Sequence, residues 1–128
     1  AERAQGACPS GWHIRSDCEW MYLEHGFGMS ISDQTTGGWR SSGAEGSDLS
    51  TLTTGGTNSS GFTALMTGHR DLSNGSFVNR GSYGYIWSST SLVSSPIVYG
   101  RSYGILQTGL DRGSFNYAHA CSVRCLRD

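Results

Sequence analysis

Residues 81–90, GSYGYIWSST, read as a β-strand. Tyr83, Tyr85 and Trp87 recur at period two, which is strand spacing with one bulky face, and Gly81 and Gly84 leave room for a close backbone approach. The pattern predicts a central strand of a sheet. From Ser91 to His119 the regularity stops. Leu, Val, Ile, Tyr, Arg, Gln, Asp, Phe and His follow one another with no clean amphipathic period, although the segments on either side are tightly patterned. That contrast predicts a display surface carried on a rigid frame.

The totals narrow the function. A chain of 128 residues fits one domain that buries about two-thirds of its unfolded surface. Its net charge is -1 and 15% of its residues are charged, so it has neither the basic field that holds nucleic acid nor a polybasic membrane patch. Glycine is abundant at 19 residues and proline scarce at 2, which favours short strands and turns over long helices. No apolar run approaches the roughly 20 residues that span a bilayer, and the first residues lack a charged-then-apolar signal pattern. The expectation is a mature or excised domain that does not insert into a membrane.

Working outward, Ala1 to Ala7 read as a loose lead-in or a short edge strand. CPSGWHI, from Cys8 to Ile14, makes a turn that sends Trp12 to the core and His13 the other way. Ser16, Asp17, Cys18 and Glu19 form a capping box. Trp20, Leu23 and either Met21 or Phe27 follow at helical spacing, and Gly26 or Gly28 ends a helix of about ten residues with Trp20 in the core. Residues 30–60 read as a long binding or loosely ordered loop anchored by Trp39, Leu49 and Leu52. Asp33, Glu45 and Asp48 carry oxygen ligands for Ca²⁺, but their spacing matches no loop template, and no metal is assigned.

Phe62, Ala64 and Met66 alternate with Thr63, Leu65 and Thr67, and Asn74-Gly75 signals a turn, so a hairpin leads into the aromatic strand. Further on, Tyr99, Arg101, Tyr103 and Ile105 share one face of a strand, with Val98, Gly100, Ser102 and Gly104 on the other. The bulky face is expected to be open to a partner, because Tyr and Arg dominate binding hot spots. The competing reading makes Tyr99 and Tyr103 core aromatics. Residues 122–128 read as a terminal strand.

Cys8, Cys18, Cys121 and Cys125 suggest an oxidising compartment and allow three pairings; the alternative is reduced cysteines packed as small hydrophobes. A Cys8–Cys125 bridge would tie the two ends together and contribute about 4 to 5 kcal/mol in the chain-entropy model. Cys18 and Cys121 would then pair or stay free. His13, His25, His69 and His119 are scattered and read as surface or turn residues. No nucleophile triad, phosphate-cradling loop or pair of catalytic carboxylates stands out. The expectation is a non-enzymatic protein without a cofactor.

CPSGWHIRSDCEW (8–20), GTNSSGFTALMTGHRD (56–71), NGSF (74–77), GSYGYIWSST (81–90) and SVRCLRD (122–128), in this order, resemble the Fibrobacter succinogenes major paralogous domain, a bacterial relative of the C-type lectin fold. The same domain serves as the variable protein of diversity-generating retroelements, in which mutagenic reverse transcription alters selected codons near the C-terminus. The resemblance implies an α+β, C-type lectin-like fold: short antiparallel sheets, one or two helices, long irregular loops, and paired N- and C-terminal strands in a single domain spanning 1–128. It also implies a variable region at about 91–120. By position the ligand-binding candidates are Leu92, Ile97, Tyr99, Arg101, Tyr103, Ile105, Gln107, Asp111, Ser114, Phe115, Tyr117 and His119, with Trp87 supporting them from beneath.

Cys8 and Cys125 match the family's disulfide pair, whereas Cys18, Cys121, Met66, His69 and Ile86 depart from its usual residues. The calcium motifs of animal C-type lectins, Glu-Pro-Asn or Gln-Pro-Asp followed by Trp-Asn-Asp, are absent, so the fold analogy gives no lectin activity. The resulting expectation is a receptor-binding or adhesion domain that recognises a protein or glycan on a cell surface. Its setting would be extracellular, on a cell surface or on a phage virion. The alternatives are a fixed-ligand or structural domain of a bacterial surface protein and, further off, a relative of formylglycine-generating oxidases with His119, Cys121 and Cys125 as soft-metal donors.

Overall fold

Ser16 opens the longest helix as its sequence dictates. In the computed structural model, which describes residues 5–43 and 45–128, the Ser16 hydroxyl accepts from the Glu19 amide while the Glu19 carboxylate accepts from the Ser16 amide. This reciprocal cap starts α1 (Asp17–Gly26), which ends at Phe27 with Gly28 in the left-handed region at φ 92°. Trp20 is buried on its inner face, as its spacing predicts. Two shorter helices follow, α2 (Ile31–Gln34) and α3 (Glu45–Leu49).

The strands are β1 (Trp12–Ile14), β2 (Gly38–Arg40), β3 (His69–Arg70), β4 (Phe77–Val78), β5 (Tyr83–Ser91), β6 (Ile97–Gly104), β7 (Leu110–Asn116) and β8 (Cys125–Arg127). They form three antiparallel sheets: β1-β8, β3-β4, and a four-stranded sheet in the order β2-β7-β6-β5. The architecture is therefore α+β, with short antiparallel sheets. Ala1–Ala4, part of the expected lead-in or edge strand, lie outside the described residues; Gln5 to Cys8 make a turn closed by the Cys8 amide on the Gln5 carbonyl.

Several expectations change. The 30–60 stretch is not one loop, because α2, β2 and α3 lie within it and β2 joins the main sheet through β7. Of its three expected anchors only Leu49 is buried, while Trp39 and Leu52 are exposed. β5 is an outer strand of its ladder, not a central one, and single bridges from Gly84 to Gly68 and from Ile86 to Ser122 cover its free edge. Phe62, Ala64 and Met66 do alternate inward, but their segment has no ladder partners and Thr63 within it is in the left-handed region at φ 53°. The Asn74-Gly75 turn joins β3 to β4 as read, with Gly75 at φ 73°.

One core serves these elements. Trp20, Phe27, Leu49, Phe62, Ala64, Met66, Ile86, Tyr103 and Leu110 pack together between the helices and one face of the main sheet. Gly84 makes room for this packing, because a Cβ there would stand 2.3 Å from the Tyr103 ring.

The terminal sheet is held covalently and by charge. Cys8 and Cys125 form a disulfide, the pair the resemblance implied, and Cys18 and Cys121 remain free thiols. His13 reverses its expected direction: it is 3% exposed and Trp12 is 40% exposed. Its ring explains the reversal, since Nδ1 meets Asp128 at 2.5 Å and Nε2 meets Glu19 at 3.0 Å. The hydrogen bond to Asp128 raises the imidazole above its ordinary value, burial opposes the rise, and Glu19 adds to it.

Removing the disulfide as Cys8→Ser/Cys125→Ser is expected to lower unfolding free energy by about 2–5 kcal/mol in denaturant titrations. For His13 the folded state binds the proton more tightly than the unfolded chain. Its contribution is therefore fully present below about pH 6.5 and fades as pH rises through the raised folded value. Denaturant midpoints measured from pH 5 to 9 should fall across that window, and His13→Gln should remove that step.

Candidate functional site

The main sheet has two unlike faces, and register shows which residues share each. Cα partners across antiparallel strands lie on one side, so Trp39, Asp111, Ser102 and Tyr85 form one row, and Gly113, Gly100 and Trp87 the next. Val98 and Phe115 follow. On the other side Arg112, Arg101 and Ile86 stand in one row.

That second face is the core side. Arg101 is 0% exposed and Tyr103 2%. Two guanidinium groups side by side on neighbouring strands repel, and the structure answers with carboxylates from α1. Asp17 accepts from Arg101 at 2.7 Å and from Arg112 at 2.5 Å. Glu24, about two turns along the helix, accepts from Arg101 Nε and from both terminal nitrogens of the Arg40 fork at 2.9 Å. Burial pushes the Asp17 carboxyl up, but the hydrogen bonds and charges of Arg112 and Arg101 outweigh it and hold the group below its ordinary value.

The expectation that Tyr99, Arg101 and Tyr103 present a bulky face to a partner is therefore corrected. Arg101 and Tyr103 are interior groups; the Tyr103 hydroxyl donates to the Leu65 carbonyl, and burial raises it to about 12. Tyr99 is half-buried beneath the Arg112 guanidinium, 4.2 Å from its ring. Trp87 does not lie beneath these residues but on the opposite face.

The open face is the aromatic one. Trp39, Tyr83, Tyr85, Trp87 and Phe115 form a chain of ring contacts with centroids 5.9–6.4 Å apart. The rings lie over a floor of small residues from β6 and β7. A Cβ on Gly100 would stand 2.9 Å from Phe115, and one on Gly104 2.7 Å from Tyr83. Polar groups interrupt the rings, since Asp111 accepts from Ser102 at 2.7 Å and Asn79 donates to the Tyr85 hydroxyl at 2.9 Å. All three helices contribute to the other side, through Glu24 and Asp17, the Gln34 carbonyl, and Leu49.

Among the twelve candidates, Phe115 and Asp111 lie within this face. Gln107 approaches Gly104 beside Tyr83, and Ile105 is exposed in the same β6–β7 turn. Leu92 and Ile97 close the β5–β6 turn, and the Tyr117 amide donates to Pro96 next to it. Ser114 is exposed across from Tyr99 on the other face. His119 stands 5.3 Å from His69, whose ring meets Tyr85 edge-on at 4.6 Å. Sequence reasoning missed Trp39, Tyr83 and Tyr85 as surface groups. The period-two aromatic pattern marked them as one face without telling which way it turned.

The Ca²⁺ candidates do not converge. Asp33 accepts from Ser30, Glu45 from the Gly43 amide, and Asp48 from Ser59. The soft-metal set of the oxidase reading is also broken up. Cys125 is in the disulfide, and burial pushes the Cys121 thiol to about 11, away from the thiolate such chemistry uses. A cavity of about 790 Å³ lies apart from the aromatic face, between α1 and the 48–60 segment. Tyr22, Leu23 and Phe27 line it together with Arg15, Glu19 and Asp48, and no residue of the 91–120 stretch is among its lining residues.

The fold and this face define an α+β domain whose main sheet is packed on one side and displays aromatic rings on the other. The chain belongs to the Fibrobacter succinogenes major domain family, whose model matches residues 1–127. No curated protein and no solved structure matches it.

Arg101→Ala is expected to destabilise the fold by about 3–5 kcal/mol, because it leaves buried carboxylates partly uncompensated. Tyr22→Ala, on the exposed side of α1, should change stability by less than about 0.5 kcal/mol. Chemical denaturation of both variants checks the contrast.

Proposed function

We propose that this domain is a non-enzymatic ligand-binding module of C-type lectin-like fold, and that the aromatic face of the main sheet is its contact surface. The observation that carries this reading is the run of Trp39, Tyr83, Tyr85, Trp87 and Phe115 over a glycine and serine floor, with Trp39 exposed and the other four rings half-buried. Aromatic side chains give a large contact area at little conformational cost, and the phenol hydroxyls, the indole N–H groups and Asp111 add directional hydrogen bonds. The ligand is a protein or glycan at a cell exterior. The Cys8–Cys125 disulfide fits an oxidising, extracellular setting, on a cell surface or a phage virion.

The resemblance to retroelement variable proteins extends the proposal. Diversification of residues 91–120 can alter the face without unfolding the domain only if it spares the inward positions of β6 and β7. Arg101, Tyr103 and Leu110 belong to the frame. Ile105, Gln107, Asp111, Phe115 and Tyr117 are free to vary.

Two measurements test this. Binding of labelled protein to bacterial cells and to a glycan array should weaken by about thirty-fold for each of Tyr85→Ala and Trp87→Ala if these rings are hot spots worth about 2 kcal/mol. Tyr22→Ala should bind as the parent does; equal binding by all three variants would refute the assignment of the face. Sequencing the DNA beside the gene should reveal an imperfect copy of the segment encoding Trp87 to Arg124, near a reverse transcriptase gene. Its differences should fall at adenines and omit the codons of Arg101 and Tyr103; absence of any copy favours a domain with a fixed ligand.

A further inference from the structure

At the edge of the aromatic face the β3–β4 hairpin meets the segment that follows β7. His69, Asp71 and His119 converge there, each offering one ligand atom, all within 4.8 Å of one another. The chain builds this meeting with backbone bonds. The amide of Arg70 donates to the Ala120 carbonyl at 2.8 Å, and the Ala120 amide returns a bond to Arg70 at 3.1 Å. Donors 50 residues apart in sequence are thus held by a short antiparallel bridge, and the hairpin turn places the carboxylate two residues after the first imidazole.

Each donor is in a state that suits a cation. His69 Nδ1 is buried and has no hydrogen-bond partner. A buried imidazole nitrogen without a partner is costly. The Ser73 amide and hydroxyl both donate to Asp71 Oδ1 and leave Oδ2 clear of them. The His119 Nδ1 atom accepts only a long bond, 3.3 Å, from the Leu72 amide. Leu72 is exposed, so water can replace that partner.

We propose that His69, Asp71 and His119 form a site for a divalent late first-row cation of the zinc class. Two imidazoles and a carboxylate are donors of the type and number that bind such ions with one position left for water or a ligand oxygen. Tetrahedral zinc with bonds of about 2.1 Å holds its donors about 3.4 Å apart. The cluster therefore draws in by roughly an ångström as the ion enters, which side-chain rotation of Asp71 and His119 supplies. A bound ion cross-links the hairpin to the display segment and sits beside Tyr85, where its open position can take an oxygen of whatever the aromatic face binds. The proposal stands independently of that binding role.

The experiment uses the full chain without a histidine tag, treated with chelator and dialysed. Titration with ZnCl₂ is expected to raise the melting temperature in a concentration-dependent way, as a ligand of the folded state must. His119→Gln and Asp71→Asn should each cut zinc affinity by at least ten-fold, and His25→Gln should leave it unchanged. Co²⁺ in place of zinc should give the strong visible bands of a four- or five-coordinate site in the parent protein, a readout that does not depend on any variant folding. Absence of both the thermal shift and the cobalt bands overturns the proposal. So does a thiolate-to-cobalt charge-transfer band, which would assign Cys121 or Cys18, or zinc binding that survives both substitutions.

Discussion

Two carboxylates and three guanidinium groups, sunk between α1 and the main sheet, set the arrangement of the molecule. Glu24 and Asp17 leave one helix; Arg40, Arg101 and Arg112 leave β2, β6 and β7. Removing such charges from water costs more than their attraction alone returns, so the cluster tolerates only a geometry in which every fork finds its oxygen. Sliding the helix by one turn along the sheet would separate Glu24 from both Arg40 and Arg101. The network also decides orientation: because three arginines must turn inward, the residues that alternate with them on β6 and β7 must turn outward.

That alternation explains the open face. β6 places Val98, Gly100, Ser102 and Gly104 outward, too small to cover the sheet, and the larger rings of β5, β7 and Trp39 lie across them. Frame and display therefore share the same strands, residue by residue. Cross-strand neighbours, not separate loops, carry the division between them.

Much of the local structure was legible in the sequence. The capping box at Ser16, the helix length, the Asn74-Gly75 turn and the inward alternation of Phe62, Ala64 and Met66 all depend on residues within a few positions of one another. The direction of each strand face was not legible. Period two fixes that Tyr99, Arg101 and Tyr103 lie on one side and leaves open which side meets the core. The answer comes from Glu24 and Asp17, 77 and 84 residues from Arg101. An arginine in a region of mixed residues reads as a contact residue when its partners are that distant. His13 misled for the same reason, since Asp128 lies 115 residues away. The candidate site was half visible: Phe115 and Asp111 lie in the 91–120 stretch, whereas Trp39 reaches the face only through the pairing of β2 with β7.

The Cys8–Cys125 bridge stands beside the β1–β8 pair, at the place where the chain enters and leaves the domain. A pulling force applied before Cys8 and after Cys125 first loads the pairing of Leu126 and Arg127 with β1 and then passes along this covalent link, which shields the four-stranded sheet. The hydrogen-bonded sheet is short-circuited mechanically. Under load the β1–β8 pairs beyond Cys125 would thus part first, while the aromatic face kept its shape.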